Sequence, residues 1–138
     1  MITKAIPHFI VIDDDPFNNA FCEMLLTSKA ITSYVTVQTF TVPEDGLKHL
    51  QNNYIITPGQ YTVLFLDISM PTMSAWEFLE QFEKFDEVIK ECFKIYILSS
   101  SIDPRDKKRA LQHKYVNNYI VKPLTIETVN AIIEQFYS

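Results

Sequence analysis

Four short stretches of this 138-residue chain carry side chains that could do chemistry together: Asp13-Asp14-Asp15, Asp67, Ser99 and Lys122. Each follows an apolar, β-rich run. Phe9-Ile10-Val11-Ile12 leads into the three aspartates, Thr62–Leu66 into Asp67, Lys94–Leu98 into Ser99, and Tyr119-Ile120-Val121 into Lys122. Carboxylates brought together repel one another and stay ionised only beside a counter-charge. A hard divalent cation suits that need, and Mg2+ characteristically takes one or two carboxylates plus waters and phosphate oxygens. Lys122 adds an ammonium and Ser99 a hydroxyl donor. A metal, an ammonium, a hydroxyl and a carboxylate able to attack phosphorus are the parts that hold and transfer a phosphoryl group. Singly, each residue has a plainer reading. Asp15-Pro16 is a helix N-cap with proline at the first helical position, a lysine before proline is usually solvated, and Ser99-Ser100-Ser101 is loop. Their joint placement at the ends of successive runs is harder to dismiss.

The elements that would position them alternate in type. Phe17, Phe21, Met24 and Leu25 follow the aspartates at helical spacing. A second strand spans Tyr34–Phe40, and Thr41-Val42-Pro43-Glu44 reads as a capping box with proline inside it, opening a helix with Leu47, Leu50 and Tyr54 on one face. Thr57-Pro58-Gly59-Gln60 is a turn. The third strand, Thr62–Leu66, is continuously apolar, as expected of a strand buried on both faces. One helix then runs from about Trp76 to Glu91, with a candidate break near Lys84–Asp86. The fourth strand, Lys94–Leu98, is followed by Asp103-Pro104 and a helix bearing Lys107, Lys108 and Arg109, read as a solvated face. The fifth strand, Tyr119–Val121, precedes a last helix capped by Thr125, with Ile126, Val129, Ile132, Ile133 and Phe136 inward. Five β-α units with connections too long for hairpins predict a parallel sheet with helices on both faces. In such sheets ligands bind beyond the carboxyl ends of the strands.

Composition narrows the classes further. Only two glycines are present, Gly46 and Gly59, so neither a G-x-G-x-x-G fingerprint nor a P-loop can be built. Twelve basic against seventeen acidic residues give a net charge of −5, which argues against the whole chain binding nucleic acid. No apolar run approaches membrane-spanning length, so no membrane insertion is expected. Cys22 and Cys92 lack metal-ligand spacing and read as reduced, partly buried thiols of a cytoplasmic protein. The 138 residues read as one domain without repeat or linker.

Four segments, in this order and spacing, carry a resemblance. They are Phe9 to Asp15, Leu64-Phe65-Leu66-Asp67-Ile68-Ser69-Met70-Pro71, Ile97-Leu98-Ser99-Ser100 and Tyr119-Ile120-Val121-Lys122-Pro123. The chain resembles the response-regulator receiver domains of two-component signalling, from about Pro7 to its end. The resemblance implies an α/β, flavodoxin-like (CheY-like) doubly wound five-stranded parallel sheet, strand order 2-1-3-4-5, flanked by five helices. It implies Asp67 as phosphoacceptor, with Mg2+ held by Asp14 directly, Asp13 mostly through water, Asp67, and the backbone carbonyl of Ser69. Ser99 matches the switch hydroxyl, Lys122 the lysine that pairs with the phosphoryl group, and Tyr119 the switch aromatic, outward when inactive and inward when active. Lys122-Pro123 matches a commonly cis peptide. One departure stands out: Ser74-Ala75 replaces the usual Asp-Gly or Asn-Gly, so another loop conformation is expected, with Ser74 and Glu77 as a possible capping box.

The function implied is a phosphoryl-accepting switch rather than an enzyme. Its donor would be a sensor histidine kinase or a histidine phosphotransfer protein. An unknown downstream protein would read the face of the fourth helix, fifth strand and fifth helix, with the chain a monomer or a phosphorylation-dependent dimer. With no output domain in the sequence, protein contact would be the output of a full-length chain. Two alternatives stand beside this reading. One is a pseudo-receiver that binds without phosphorylation. The other is a Mg2+-dependent aspartate-nucleophile phosphatase, since Asp13 to Phe17 resembles the D-x-D-x-T motif of haloacid-dehalogenase-like enzymes, with Phe17 in place of threonine.

Overall fold

A computed structural model describes residues 6–54 and 60–137. Its elements are β1 His8–Ile12, α1 Pro16–Leu26, β2 Thr36–Phe40, α2 Pro43–Asn52, β3 Thr62–Leu66, α3 Ala75–Glu83, α4 Glu87–Lys90, β4 Phe93–Ser99, α5 Pro104–Gln112, β5 Val116–Val121 and α6 Ile126–Tyr137. The strands form one sheet in the order β2-β1-β3-β4-β5, and every neighbouring pair is parallel. Alternation along the strands explains the two apolar layers. Ile10 and Ile12 face Leu47 and Leu50 of α2, Phe78, Leu79 and Phe82 of α3, Ile89 of α4 and Ala110 of α5. Phe9 and Val11 face Cys22 and Leu26 of α1 and Val129, Ile132 and Ile133 of α6. All five residues of β3 are buried, as its unbroken apolar run predicts.

The described residues form six helices where five are expected. The stretch from Trp76 to Glu91 breaks at Lys84–Asp86, where a break is expected, into two helices: α3 ends at Glu83, Asp86 is extended (ψ 146°), and α4 is a separate four-residue turn. The break lets Phe85 pack edge-on against Phe82 and sets Ile89 and Cys92 into the core. The expected fourth and fifth helices are therefore α5 and α6.

The capping box expected at Thr41 does not form. Val42 is the N-cap, without a side-chain bond, and Pro43 takes the first helical position. Glu44 instead accepts from the Thr72 hydroxyl at 2.8 Å, so it is not available to fold back on its own helix. The predicted Thr57–Gln60 turn lies largely outside the described residues. Strand ends also shift: β2 begins at Thr36, leaving Tyr34 exposed, and β5 begins three residues before Tyr119. Gly46 lets α2 close on β1, because a Cβ there would run into the side chain of Ile12.

Candidate functional site

Register alone brings the aspartates together. Ile12 pairs with Leu66, so Asp13 and Asp67 are the next residues along adjacent strands. The backbone continues that pairing, with Asp67 N donating to Ile12 O at 3.0 Å and Asp13 N to Phe40 O at 3.1 Å. An irregularity at Ile95/Tyr96 resets β4 against β5 so that Ser99 meets Val121, and Lys122 N donates to Ser99 O at 2.8 Å. The peptide bond Lys122–Pro123 is cis. The result is a cleft of about 300 Å³ lined by Asp13, Asp14, Asp15, Asp67, Ser69, Ser99, Ser101, Asp106 and Lys122, among others.

Asp13 is the most enclosed of the carboxylates, 2% exposed. Its Oδ1 accepts from Asp15 N at 2.9 Å, and its Oδ2 from Asn18 Nδ2 at 2.9 Å and from Lys122 Nζ at 2.6 Å. Lys122 also reaches Asp67 Oδ1, more loosely, at 3.4 Å. Burial alone would lower the Lys122 pKa, but the bond to Asp13 and the charge of Asp67 outweigh it and raise it. Asp67 is driven the other way. Burial first, and the Asp13 charge second, push its carboxyl up to about 6, against the pull of Lys122.

Asp13, Asp14 and Asp67 each offer an oxygen within 4.8 Å of the others. Three carboxylates beside one ammonium leave the cluster short of positive charge. An oxygen-only, charge-deficient donor set is what a hard divalent cation takes, so these residues fit Mg2+.

The switch positions form a second network. Ser99, 4% exposed, accepts through its Oγ from Ser101 N at 3.1 Å. Tyr119 is turned inward, 8% exposed, and its hydroxyl donates to Ser101 O at 2.8 Å. Ser69 lines the cleft and is exposed. The loop after Asp67 takes the conformation that Ser74 invites: Ser74 caps α3 with Glu77 in a reciprocal capping box, and no non-glycine residue described has a positive φ. Alanine therefore fits at 75 without strain, and its N–H is bonded to Ile68 O at 2.9 Å. Of the basic residues on α5, Lys107, Lys108 and Arg109 are all exposed, as expected. Arg109 stacks 4.4 Å over the Trp76 ring.

Two residues around this site went unnoticed in the sequence, Asn18 and Asp106. Asn18 holds Asp13, and Asp106 Oδ2 accepts from Ser101 Oγ at 2.6 Å. Each lies five residues after its partner, in the first turn of the helix that follows the strand, and that spacing is the signal available.

A family model for the response regulator receiver domain matches residues 9–134. The chain belongs to the response regulator receiver domain family. Receiver domains are in general signal switches rather than enzymes, and they bind Mg2+ at an acidic pocket. Solved structures agree on the CheY-like flavodoxin fold. A two-component response regulator from Cytophaga hutchinsonii is 26% identical, with 96% of this chain and 98% of that one covered and a TM-score of 0.81. A response regulator receiver protein from Dyadobacter fermentans DSM 18053 is 24% identical, over 94% and 96%, with a TM-score of 0.77. The chemotaxis response regulator CheY4 of Vibrio cholerae, 18% identical over 96% and 99%, has a TM-score of 0.72. A comparison with curated proteins finds no match. Among the described residues of this receiver, no helix is long and apolar enough to cross a membrane.

Proposed function

We propose that this receiver accepts a phosphoryl group on Asp67 from a phosphohistidine of a histidine kinase or phosphotransfer protein. The observation that carries the reading is the shared lysine: Lys122 Nζ bridges Asp13 at 2.6 Å and Asp67 at 3.4 Å. The ammonium is thus held beside the carboxylate that would receive the phosphoryl group. Asp67 Oδ attacks phosphorus, the P–N bond breaks, and its electron pair returns to the donor imidazole. Lys122 then pairs with phosphoryl oxygens, and Ser99 donates its hydroxyl to them. Asp14, Asp67 and the Ser69 carbonyl would hold Mg2+ directly, with Asp13 behind; bound there, Mg2+ supplies neutralisation of the phosphoryl charge.

The output surface in this reading is the face of α5, β5 and α6, which follows the Ser99–Ser101–Tyr119 network and is read by a protein partner. Two unpaired, buried cysteines fit a reducing compartment, so the proposed location is the cytoplasm. The test is incubation with acetyl phosphate, with and without Mg2+, followed by peptide mapping. Mg2+-dependent phosphorylation at Asp67, absent in Asp67→Asn, is expected. Wild type that stays unlabelled, or labelling that survives Asp67→Asn, overturns the proposal.

A further inference from the structure

A second cleft, of about 670 Å³, lies at the opposite end of the sheet from Asp67, where β4 and β5 begin. Three lysines line it: Lys90, Lys94 and Lys114. Lys90 is committed. Its side chain is 8% exposed, and its Nζ donates to the Glu83 carbonyl at 2.9 Å and to the Tyr115 hydroxyl oxygen at 3.1 Å, and pairs with Glu87 at 2.9 Å. That uses all three of its donors. Lys94 and Lys114 are not committed in this way. Among the described residues neither forms an ion pair. Each ammonium lies over an aromatic ring instead, Lys94 at 4.4 Å from the Tyr61 centroid and Lys114 at 5.1 Å from that of Tyr115. The Tyr115 hydroxyl adds a third donor. Its oxygen accepts from Lys90, and its own proton meets no acceptor among the described residues. A bond accepted from an ammonium polarises that O–H and strengthens it as a donor. Of the two glutamates lining the cleft, Glu87 is turned to Lys90 and Glu91 is exposed to solvent.

We propose that this cleft binds a phosphate chain, either free pyrophosphate or the tail of a nucleoside diphosphate, between Lys94 and Lys114, with the Tyr115 hydroxyl donating to one of its oxygens. The donors decide the class of ligand. Ammoniums already cover the ring faces of Tyr61 and Tyr115, so the cleft offers charge rather than a platform for a planar base. An ammonium is a compact point charge without the planar fork that matches a single carboxylate. Two of them and a phenol, carried by separate residues along one cleft, suit several oxygens strung along one anion. Uncompensated positive charge is also scarce in a chain of net charge −5, and here two such groups share one cavity. Lys94 and Ser99 stand near opposite ends of β4, roughly 17 Å apart, so the site uses no part of the Asp67 cleft.

The experiment titrates sodium pyrophosphate into wild type, Lys94→Gln, Lys114→Gln, Tyr115→Phe and Lys107→Gln, at constant ionic strength and without Mg2+. It reads the melting temperature and the backbone amide chemical shifts. Wild type should show a saturable rise in Tm, as a ligand bound only by the folded chain produces, with shifts moving at Lys94 and at residues 114–117. Lys94→Gln and Lys114→Gln should each weaken binding roughly fivefold, and Tyr115→Phe roughly threefold. Lys107→Gln, on α5 and outside the cleft, should bind as wild type does. A second arm replaces pyrophosphate with ADP. Equal affinity assigns the tail of a nucleotide as a source, and loss of binding assigns the free anion; both uphold the site. The absence of a saturable rise overturns the proposal. So does an equal weakening in Lys107→Gln, which would mean diffuse attraction, and so do shifts centred on Asp67 and Lys122. If Tyr115→Phe does not fold, the two lysine variants decide, since Lys114 is exposed and Lys94 half-buried.

Discussion

Asp67 keeps its charge at a cost. Its carboxyl is pushed from 3.8 to about 6 by burial and then by Asp13, so in the folded chain it holds a proton that the unfolded chain releases between about pH 4 and 6. Its contribution to stability is therefore full below about pH 4 and is lost as pH rises through 6. In metal-free buffer at pH 7.5, Asp67→Asn should be more stable than wild type by about 1–2 kcal/mol, water reaching the cleft having screened part of the effect. The advantage should vanish towards pH 4, and denaturant melts across that range check it. The identities of Asp13, Asp14, Asp67, Ser99 and Lys122 were legible because each ends or follows an apolar run. Asn18 and Asp106 were not, because their partners are set by how the first helical turn folds back over the strand end. The inward position of Tyr119 was not legible either, since a side-chain rotamer follows from the space and hydrogen-bond partners around it.

Among the elements, α3 shows how a local change is absorbed. The receiver pattern places glycine where this chain has Ala75, and here Ser74 and Glu77 start the helix with a capping box instead. The two orphan N–H groups of that turn are satisfied by side chains, and the backbone needs no left-handed residue. Ser74→Ala should cost about 1 kcal/mol in a denaturant melt. Restoring the family residue with Ala75→Gly should also destabilise, by roughly 0.5–1 kcal/mol, because Ala75 is fully buried in an ordinary helical position. A gain in stability from Ala75→Gly would contradict this account of the loop. The Ser-x-x-Glu spacing made this cap readable in advance. The same spacing at Thr41 misled, because Pro43 favours the first helical position and Thr72 occupies Glu44.

At the scale of the molecule, folding itself assembles the acidic cluster, so a ligand that binds there should stabilise the whole chain. With Mg2+ at ten times its dissociation constant, mass action predicts about 1.4 kcal/mol of added stability. A thermal melt should show this rise in wild type and lose most of it in Asp14→Asn, and an equal rise in both would disconnect Mg2+ from this cluster. The order of elements and the burial of β3 followed from sequence alone, because hydrophobic periodicity and turn residues act over a few positions. So did the residue types at the strand ends. The break between α3 and α4 was readable too, falling at Lys84–Asp86 as the sequence suggests, whereas the register that sets Asp13 beside Asp67 and the sharing of Lys122 between them belong to the tertiary structure. Those depend on contacts between residues as far apart as 13 and 122, which local propensity does not encode and which only the packed sheet brings within hydrogen-bonding distance.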